Sequence, residues 1–226
     1  PSSYIYGEGW NCCGGEDDVS FKSARQANLG GTGIGSFNDR MRDMARGGGP
    51  FDTPTDIVEK QGFVSGWFYD PNAAPTYKWN INSDAEIDVI TKGSPQDRQA
   101  YIAATDNIRV SLAGLLANFR LQNAAGTTKD PQEAIHYVDK HDNQTFHDYS
   151  VYKNPAGTSP ADRVRVHNMG NSLVILAQGV PFLHAGTDIM RSKSGDRDSY
   201  DSGDWHNELN WPNDPDWSLT GNKWAQ

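Results

Sequence analysis

Apolar and polar positions divide this chain into segments with two different periods. Ser3 to Gly7 is short, aromatic and β-branched, and runs into Gly-Glu-Gly-Trp, the pattern of a strand closed by a turn. Asn38 can cap a short helix over Asp39 to Arg46, with Gly47 as its stop. Residues 50–95 are rich in Pro, Asp and Asn and predict a long loop with little regular structure. From Ser94 the spacing turns helical: Ile102, Thr105, Ile108, Leu112, Leu115, Leu116 and Phe119 recur at three and four residues over about five turns. Ala134 to Val138 then predicts a short buried strand ending in Asp-Lys-His-Asp-Asn. A second helix starts at Ser159-Pro160, a cap followed by the proline favoured at the first helical position. It continues through Val164, Leu173 and Leu176 and stops at Gly179, and Val180 to His184 forms another strand closing on Ala185-Gly186.

With a second strand placed just before Asn38, strands alternate with helices, which predicts an α/β fold with a parallel sheet. Polar residues follow the strands: Glu8, Asn38 and Asp39, His141 and Asp142, Asp188. In a (β/α)8 barrel that rim gathers the catalytic groups. A doubly wound sheet also binds ligands at strand ends, so both architectures remain open at this point.

Composition narrows the partners. The apolar fraction is 36% and the mean hydropathy is -0.72, a polar and loop-rich chain. Its most apolar stretch, Leu173 to Leu183, is interrupted by Gln178, Gly179 and Pro181 and is too short to span a bilayer. Pro1 to Tyr6 lacks the basic start and apolar run of a signal peptide, so nothing here reports on export. A net charge of -9 disfavours nucleic acid and suits a neutral or cationic ligand. The seven Trp and nine Tyr can cover a core or stack on sugar rings. Cys12 and Cys13 are adjacent, a geometry poor for a mutual disulfide, and are read as free thiols in a loop. No cysteine or histidine spacing matches a zinc site. The Gly-rich run Gly30 to Phe37 lacks the Lys-Ser/Thr ending of a phosphate loop.

Two positions carry candidate chemistry. Glu8 is flanked by Gly7 and Gly9, which let a ligand approach the backbone, and by Trp10, whose indole can desolvate a carboxyl group and keep it protonated as a general acid. The alternative is a strand-end glutamate in a surface loop. In His141-Asp142-Asn143, Asp142 can orient a hydroxyl or stabilise developing positive charge, with His141 donating to a second hydroxyl. The alternatives are a structural Asp-Asn turn or a metal site drawing on His136 or His147. Two carboxylates on neighbouring strands suit glycoside hydrolysis.

Several stretches resemble the pullulanase-type debranching branch of the α-amylase glycoside hydrolase family. Tyr4-Ile5-Tyr6-Gly7-Glu8-Gly9-Trp10 is similar to the fifth-strand motif bearing the acid/base. The runs 32–40 and 46–52 resemble the sixth-strand region. Tyr137-Val138-Asp139-Lys140-His141-Asp142-Asn143-Gln144-Thr145 resembles the seventh-strand motif with its stabilising aspartate, and 191–194 with 196–205 the loop after the eighth strand.

The resemblance implies the C-terminal half of a (β/α)8 TIM-type barrel, about strands 5 to 8, with residues 1–226 lacking the N-terminal half and the C-terminal β domain. It makes Glu8 the general acid/base and Asp142 the stabiliser. His141 would bond hydroxyls of the cleaved glucose and Trp10 would stack at the acceptor side; Asn143, Phe37, Arg191, Asp196 and Arg197 are further substrate contacts. The ligand implied is an α-glucan, with no nucleic acid and no membrane insertion. No cofactor is required; a structural calcium in the parent is implied without assigned ligands, and no metal ligand is assigned here. The parent's location is left open, an extracellular one included. Cys12-Cys13-Gly14-Gly15 and Thr187-Asp188 depart from the family pattern, and the stretch between Phe119 and Ala134 is short.

The family's nucleophile is an aspartate in an Asp-Gly-Phe-Arg-Phe-Asp-like motif, and no such motif lies within residues 1–226. The parent is therefore expected to act on α-1,6 branch linkages in pullulan, amylopectin or limit dextrins by a retaining mechanism. The chain alone is expected neither to turn over nor to stay soluble, since a closed barrel needs eight strands and about 250 residues. Rival readings are an α-1,4 or mixed specificity, a catalytically dead glucan-binding module, and a metal-dependent hydrolase.

Overall fold

A computed structural model describes residues 3–10, 22–65, 95–155 and 157–209. The thiols of Cys12 and Cys13, the residues 66–94 of the expected loop, and the helix start at Ser94 lie outside the described residues. The elements run β1 (Tyr6–Gly7), α1 (Gln26–Leu29), β2 (Gly35–Phe37), α2 (Asp39–Arg46), α3 (Pro54–Glu59), α4 (Pro95–Leu112), β3 (Arg120–Leu121), β4 (Ala124–Ala125), β5 (Ala134–His136), α5 (Phe146–Lys153), α6 (Pro160–Leu176) and β6 (Val180–Pro181). Strands β1, β2, β5 and β6 form a four-stranded sheet in that order, every pair parallel. The register sets Tyr6 beside Gly35, Ser36 beside Ala134, and Ile135 beside Val180. The small β3–β4 hairpin is antiparallel and separate.

Strand alternation decides which face each residue serves. Ile135 and Tyr137 point one way and join Phe37 in an aromatic cluster with Trp10, Val180 and Phe182 against it. Val138 points the other way, into a cluster of Met41, Ala45, Ile108, Phe146 and Val174 contributed by helices α2, α4, α5 and α6. The two central strands, β2 and β5, are thus buried on both faces, as parallel strands require. The outer strands are less covered: Tyr4, Ile5 and Tyr6 beside β1 and Leu183 beyond β6 are exposed. Among the described residues, no helix is long and apolar enough to cross a membrane.

Local chemistry fixes the helix ends. Asn38 accepts from the Met41 N–H at the start of α2, and Gly47 closes it at φ 92. Ser159 caps α6 through the Asp162 N–H, with Pro160 in the first turn. Three expectations are corrected. Helix α4 ends at Leu112, short of Phe119, because Gly114 turns left-handed (φ 77) and the Leu115 N–H reaches back to the Val110 carbonyl at 2.9 Å. That is a Schellman stop, which the apolar spacing beyond it concealed. The loop after residue 50 contains α3, started by a capping box between Thr53 and Asp56, and α5 begins with the same device between Thr145 and Asp148. The strands are also shorter than the apolar runs that predicted them.

Candidate active site

Glu8 directly follows β1. Gly9 follows at φ 71, and a Cβ there would lie 3.0 Å from the Ser36 Cβ and 3.3 Å from the Gln26 nitrogen. Glycine is needed for this approach. Its carbonyl accepts from the Gln26 N–H at 3.0 Å, tying the turn to α1.

The segment after β5 is pinned from several sides. Buried Asp139 accepts from the Phe146 N–H (2.8 Å) and from His184 Nδ1 (3.2 Å). Burial opposes its charge, but His184 and these hydrogen bonds prevail and hold its carboxyl below the usual range. Arg191 donates to His184 Nε2 at 3.0 Å. A guanidinium only donates, so the His184 proton sits on Nδ1. Lys193 Nζ donates to the carbonyls of His141 and, at 3.0 Å, Asn143. Asn143, left-handed at φ 61, reaches the Pro50 carbonyl at 3.1 Å.

This frame brings Glu8, His141 and Asp142 together, with their ligating atoms within 4.8 Å of one another. Strand β2 lies between β1 and β5, the order in which the three motifs were read, so the two carboxylates are not on neighbouring strands but share a rim across an intervening strand end. Lys140 joins them, donating to Glu8 Oε1 at 2.7 Å and to Asp142 Oδ2. His141 Nε2 lies 3.2 Å from Asp142 Oδ1 and 3.9 Å from Glu8 Oε1. Burial pushes the Asp142 carboxyl up; Lys140, then His141 and Lys193, outweigh it and set the group below its ordinary range. Asp142 Oδ2 accepts from Lys140 and Oδ1 faces His141 Nε2, whereas Glu8 Oε2 has no partner among the described residues.

These carboxylates open on a cleft of about 540 Å³. Trp10, Asn143 and Arg197 line it with them, together with Arg42, Asp43 and Lys140, and Phe51 and Tyr200 stand exposed at its mouth. Trp10 sets its ring edge against Phe37 at 6.4 Å and lies under the Arg42 guanidinium at 5.6 Å. Arg197 donates to the Asp52 carbonyl at 3.4 Å and faces the Phe51 ring at 5.9 Å.

Three expected contacts lie elsewhere. Phe37 is 4% exposed and packs on Tyr137 and Phe182 at 5.0 and 5.2 Å, supporting the site from beneath. Arg191 is buried, bracing His184 and the Asn207 carbonyl. Asp196 is used within its own loop, accepting from the Ser202 hydroxyl (2.6 Å) and the Asp198 N–H (2.7 Å). Sequence reasoning gave no role to Lys140, Lys193, Arg42 or His184. A lysine two residues before a candidate aspartate is the one legible signal among them.

A metal fits poorly. The Glu8, His141 and Asp142 group is centred on the Lys140 ammonium, which opposes a second cation, and it offers too few oxygens for the six to eight that calcium takes. The other histidines considered are placed apart: His136 bonds Asn38 Nδ2 and the Gln178 carbonyl, and burial pushes His147, on α5, down to about 4.

A parallel α/β sheet carrying paired carboxylates on one rim belongs to the class whose sites lie at the carboxyl ends of strands. No family model matches the chain. It is 37% identical over 240 residues to chloroplastic pullulanase 1 of Arabidopsis thaliana, covering 98% of this chain and 22% of that protein. Against the pullulanase of Klebsiella pneumoniae it is 37% identical over 227 residues, covering 93% of this chain and 19% of the relative. The crystal structure of Klebsiella pneumoniae pullulanase complexed with maltotriose superposes with a TM-score of 0.73 at 36% identity, over 92% of this chain and 19% of that one. The chain is homologous to one stretch of the pullulanases and spans about a fifth of the length of these relatives.

Proposed function

We propose that these residues are the acid/base side of the active site of a starch-debranching glycoside hydrolase cleaving α-1,6 linkages, built on the C-terminal half of a (β/α)8 barrel. One observation carries the reading: the two carboxylates meet in one cleft with one lysine bonded to both, and among the described residues Glu8 Oε2 has no partner. A group that exchanges protons with substrate needs such an oxygen. A group that only stabilises positive charge does better held ionised, as Lys140 holds Asp142 against the cost of its burial.

Glu8 then protonates the bridging oxygen as the bond from the anomeric carbon breaks, and Asp142 faces the oxocarbenium-like centre. In a retaining mechanism a third carboxylate traps that carbon; water releases it, giving its proton back to Glu8 and its hydroxyl to the sugar. That nucleophile is to be sought outside these 226 residues. Trp10, Phe51 and Tyr200 offer flat apolar faces to sugar rings, with Asn143 and Arg197 as hydroxyl donors. The structure of a relative with maltotriose supports an α-glucan ligand. The acid/base and the nucleophile are both carboxyl groups, so no cofactor enters this scheme.

In the full-length protein carrying this chain, Glu8→Gln should lower pullulan hydrolysis by about 10²–10⁴-fold, the usual worth of a general acid/base, while glucan binding persists. Retained turnover would remove Glu8 from the chemistry. Binding with no turnover in the unmutated protein would favour a glucan-binding module, and products from linear maltodextrin an α-1,4 specificity.

A further inference from the structure

We propose that Lys140 is a positioning residue that clamps one oxygen of Glu8 and one of Asp142, so that Glu8 is left with a single oxygen for proton transfer. The inference rests on the function proposed above and assigns a residue to which neither motif gave a role. Its side chain is 4% exposed, whereas the carboxylates it joins are 38% and 47% exposed. The ammonium therefore rises from the protein interior to meet two solvent-facing groups, and lies 5.6 Å from the centre of the buried Phe37 ring. Phe37 thus serves the site through this lysine.

The other cations near the cleft are committed elsewhere. Arg42 is bonded to Asp43 (2.6 Å) and to the Tyr137 hydroxyl (2.8 Å). Lys193 holds main-chain carbonyls, and Arg197 reaches across to the Asp52 carbonyl. His141 faces the pair from the solvent side and carries charge only when protonated. Of the acids on α2, Asp39 accepts from Gln26 at 3.1 Å and Asp43 faces Arg42. Among the described residues, Lys140 is thus the fixed positive charge between Glu8 and Asp142. Its charge offsets the repulsion between two carboxylates held this close. The contact also orients Glu8, because a carboxylate held at one oxygen presents the other in a defined direction.

The test compares Lys140→Met and Lys140→Arg with the unmutated full-length protein on pullulan. For Lys140→Met we expect kcat to fall about 100-fold with KM within about threefold, and the acid limb of the pH profile to move upward, because Lys140 holds the Asp142 carboxyl down. Lys140→Arg keeps the charge and should keep the profile, with an intermediate kcat. On α-maltotriosyl fluoride, whose leaving group needs no protonation, the Lys140→Met loss should be at least tenfold smaller.

A Lys140→Met profile superimposable on the unmutated one, or equal losses in both variants, overturns the inference. Should Lys140→Met not fold, Lys140→Gln carries the same comparison. A crystal structure of the variant reads the clamp without substrate: the Glu8 and Asp142 oxygens should part beyond 4.8 Å, and unmoved carboxylates count against it. An unmutated protein that ignores pullulan sinks the proposed function instead, and the crystallographic result then decides the role of Lys140 alone.

Discussion

Replacing Lys153 by Met should stabilise the end of α5 at neutral pH and remove a pH dependence that the unmutated protein shows. Lys153 is 1% exposed, and its ammonium donates to the Lys60 carbonyl at 2.7 Å, tying α5 to the end of α3. The Tyr149 ring lies 5.5 Å from it, and the Arg46 guanidinium stacks on that ring at 3.8 Å. Burial, then repulsion from Arg46, pushes the Lys153 ammonium down to about 7. An unfolded lysine holds its proton to about 10.4, so between these values the unfolded chain binds more protons than the folded one. Stability therefore rises with pH across that window and is lowest below about 7.

Between about pH 6 and pH 8 the gain is roughly 1.4 kcal/mol, a tenfold change in the opening equilibrium. Native-state hydrogen exchange on peptides covering residues 146–153 of the full-length protein, corrected for intrinsic rates, measures it. His147, pushed down to about 4 by burial on the same helix, adds a slope in the same direction at the acid end. The difference between unmutated and Lys153→Met protein isolates the lysine. Opening free energies that run parallel across this range would refute the reasoning. The outcome bears on the site, because α5 begins at Phe146, whose N–H is held by Asp139 at the base of the Asp142 turn.

Other consequences follow from the same contacts. Gly47→Ala puts a Cβ 2.2 Å from the Lys60 carbonyl oxygen at a φ of 92, and should cost about 3 kcal/mol or more, read as a lowered urea midpoint. Asp139→Asn keeps the shape but loses the charge that holds His184, and should cost about 1.5–3 kcal/mol at neutral pH. The Asp139 carboxyl is held low, so its contribution is complete above the ordinary aspartate value of 3.8 and fades as pH falls through the lower folded value. Urea melts of both proteins should therefore converge at strongly acid pH; a constant gap would show that the charge is not what matters.

The sequence by itself determined what depends on neighbours along the chain. Asn38 and Ser159-Pro160 announced their helices, the strand-then-acid pattern located Glu8 and Asp142, and alternation gave a parallel sheet. Even the missed starts of α3 and α5 were written as Thr-x-x-Asp boxes at Thr53 and Thr145. Gly114 carried the stop of α4 that apolar spacing obscured. Tertiary structure decided everything that depends on which strand ends share a rim. Lys140 meets Glu8 across 132 residues, and no local pattern encodes that distance. It set β2 between the two acids, buried Phe37 and Arg191 as supports, and kept Trp10 and Arg197 in the cleft. The physical reason is that a helix cap is a contact within one turn of chain. An ion pair at a strand rim exists only once the order of the strands and the packing beneath them have brought its partners within reach.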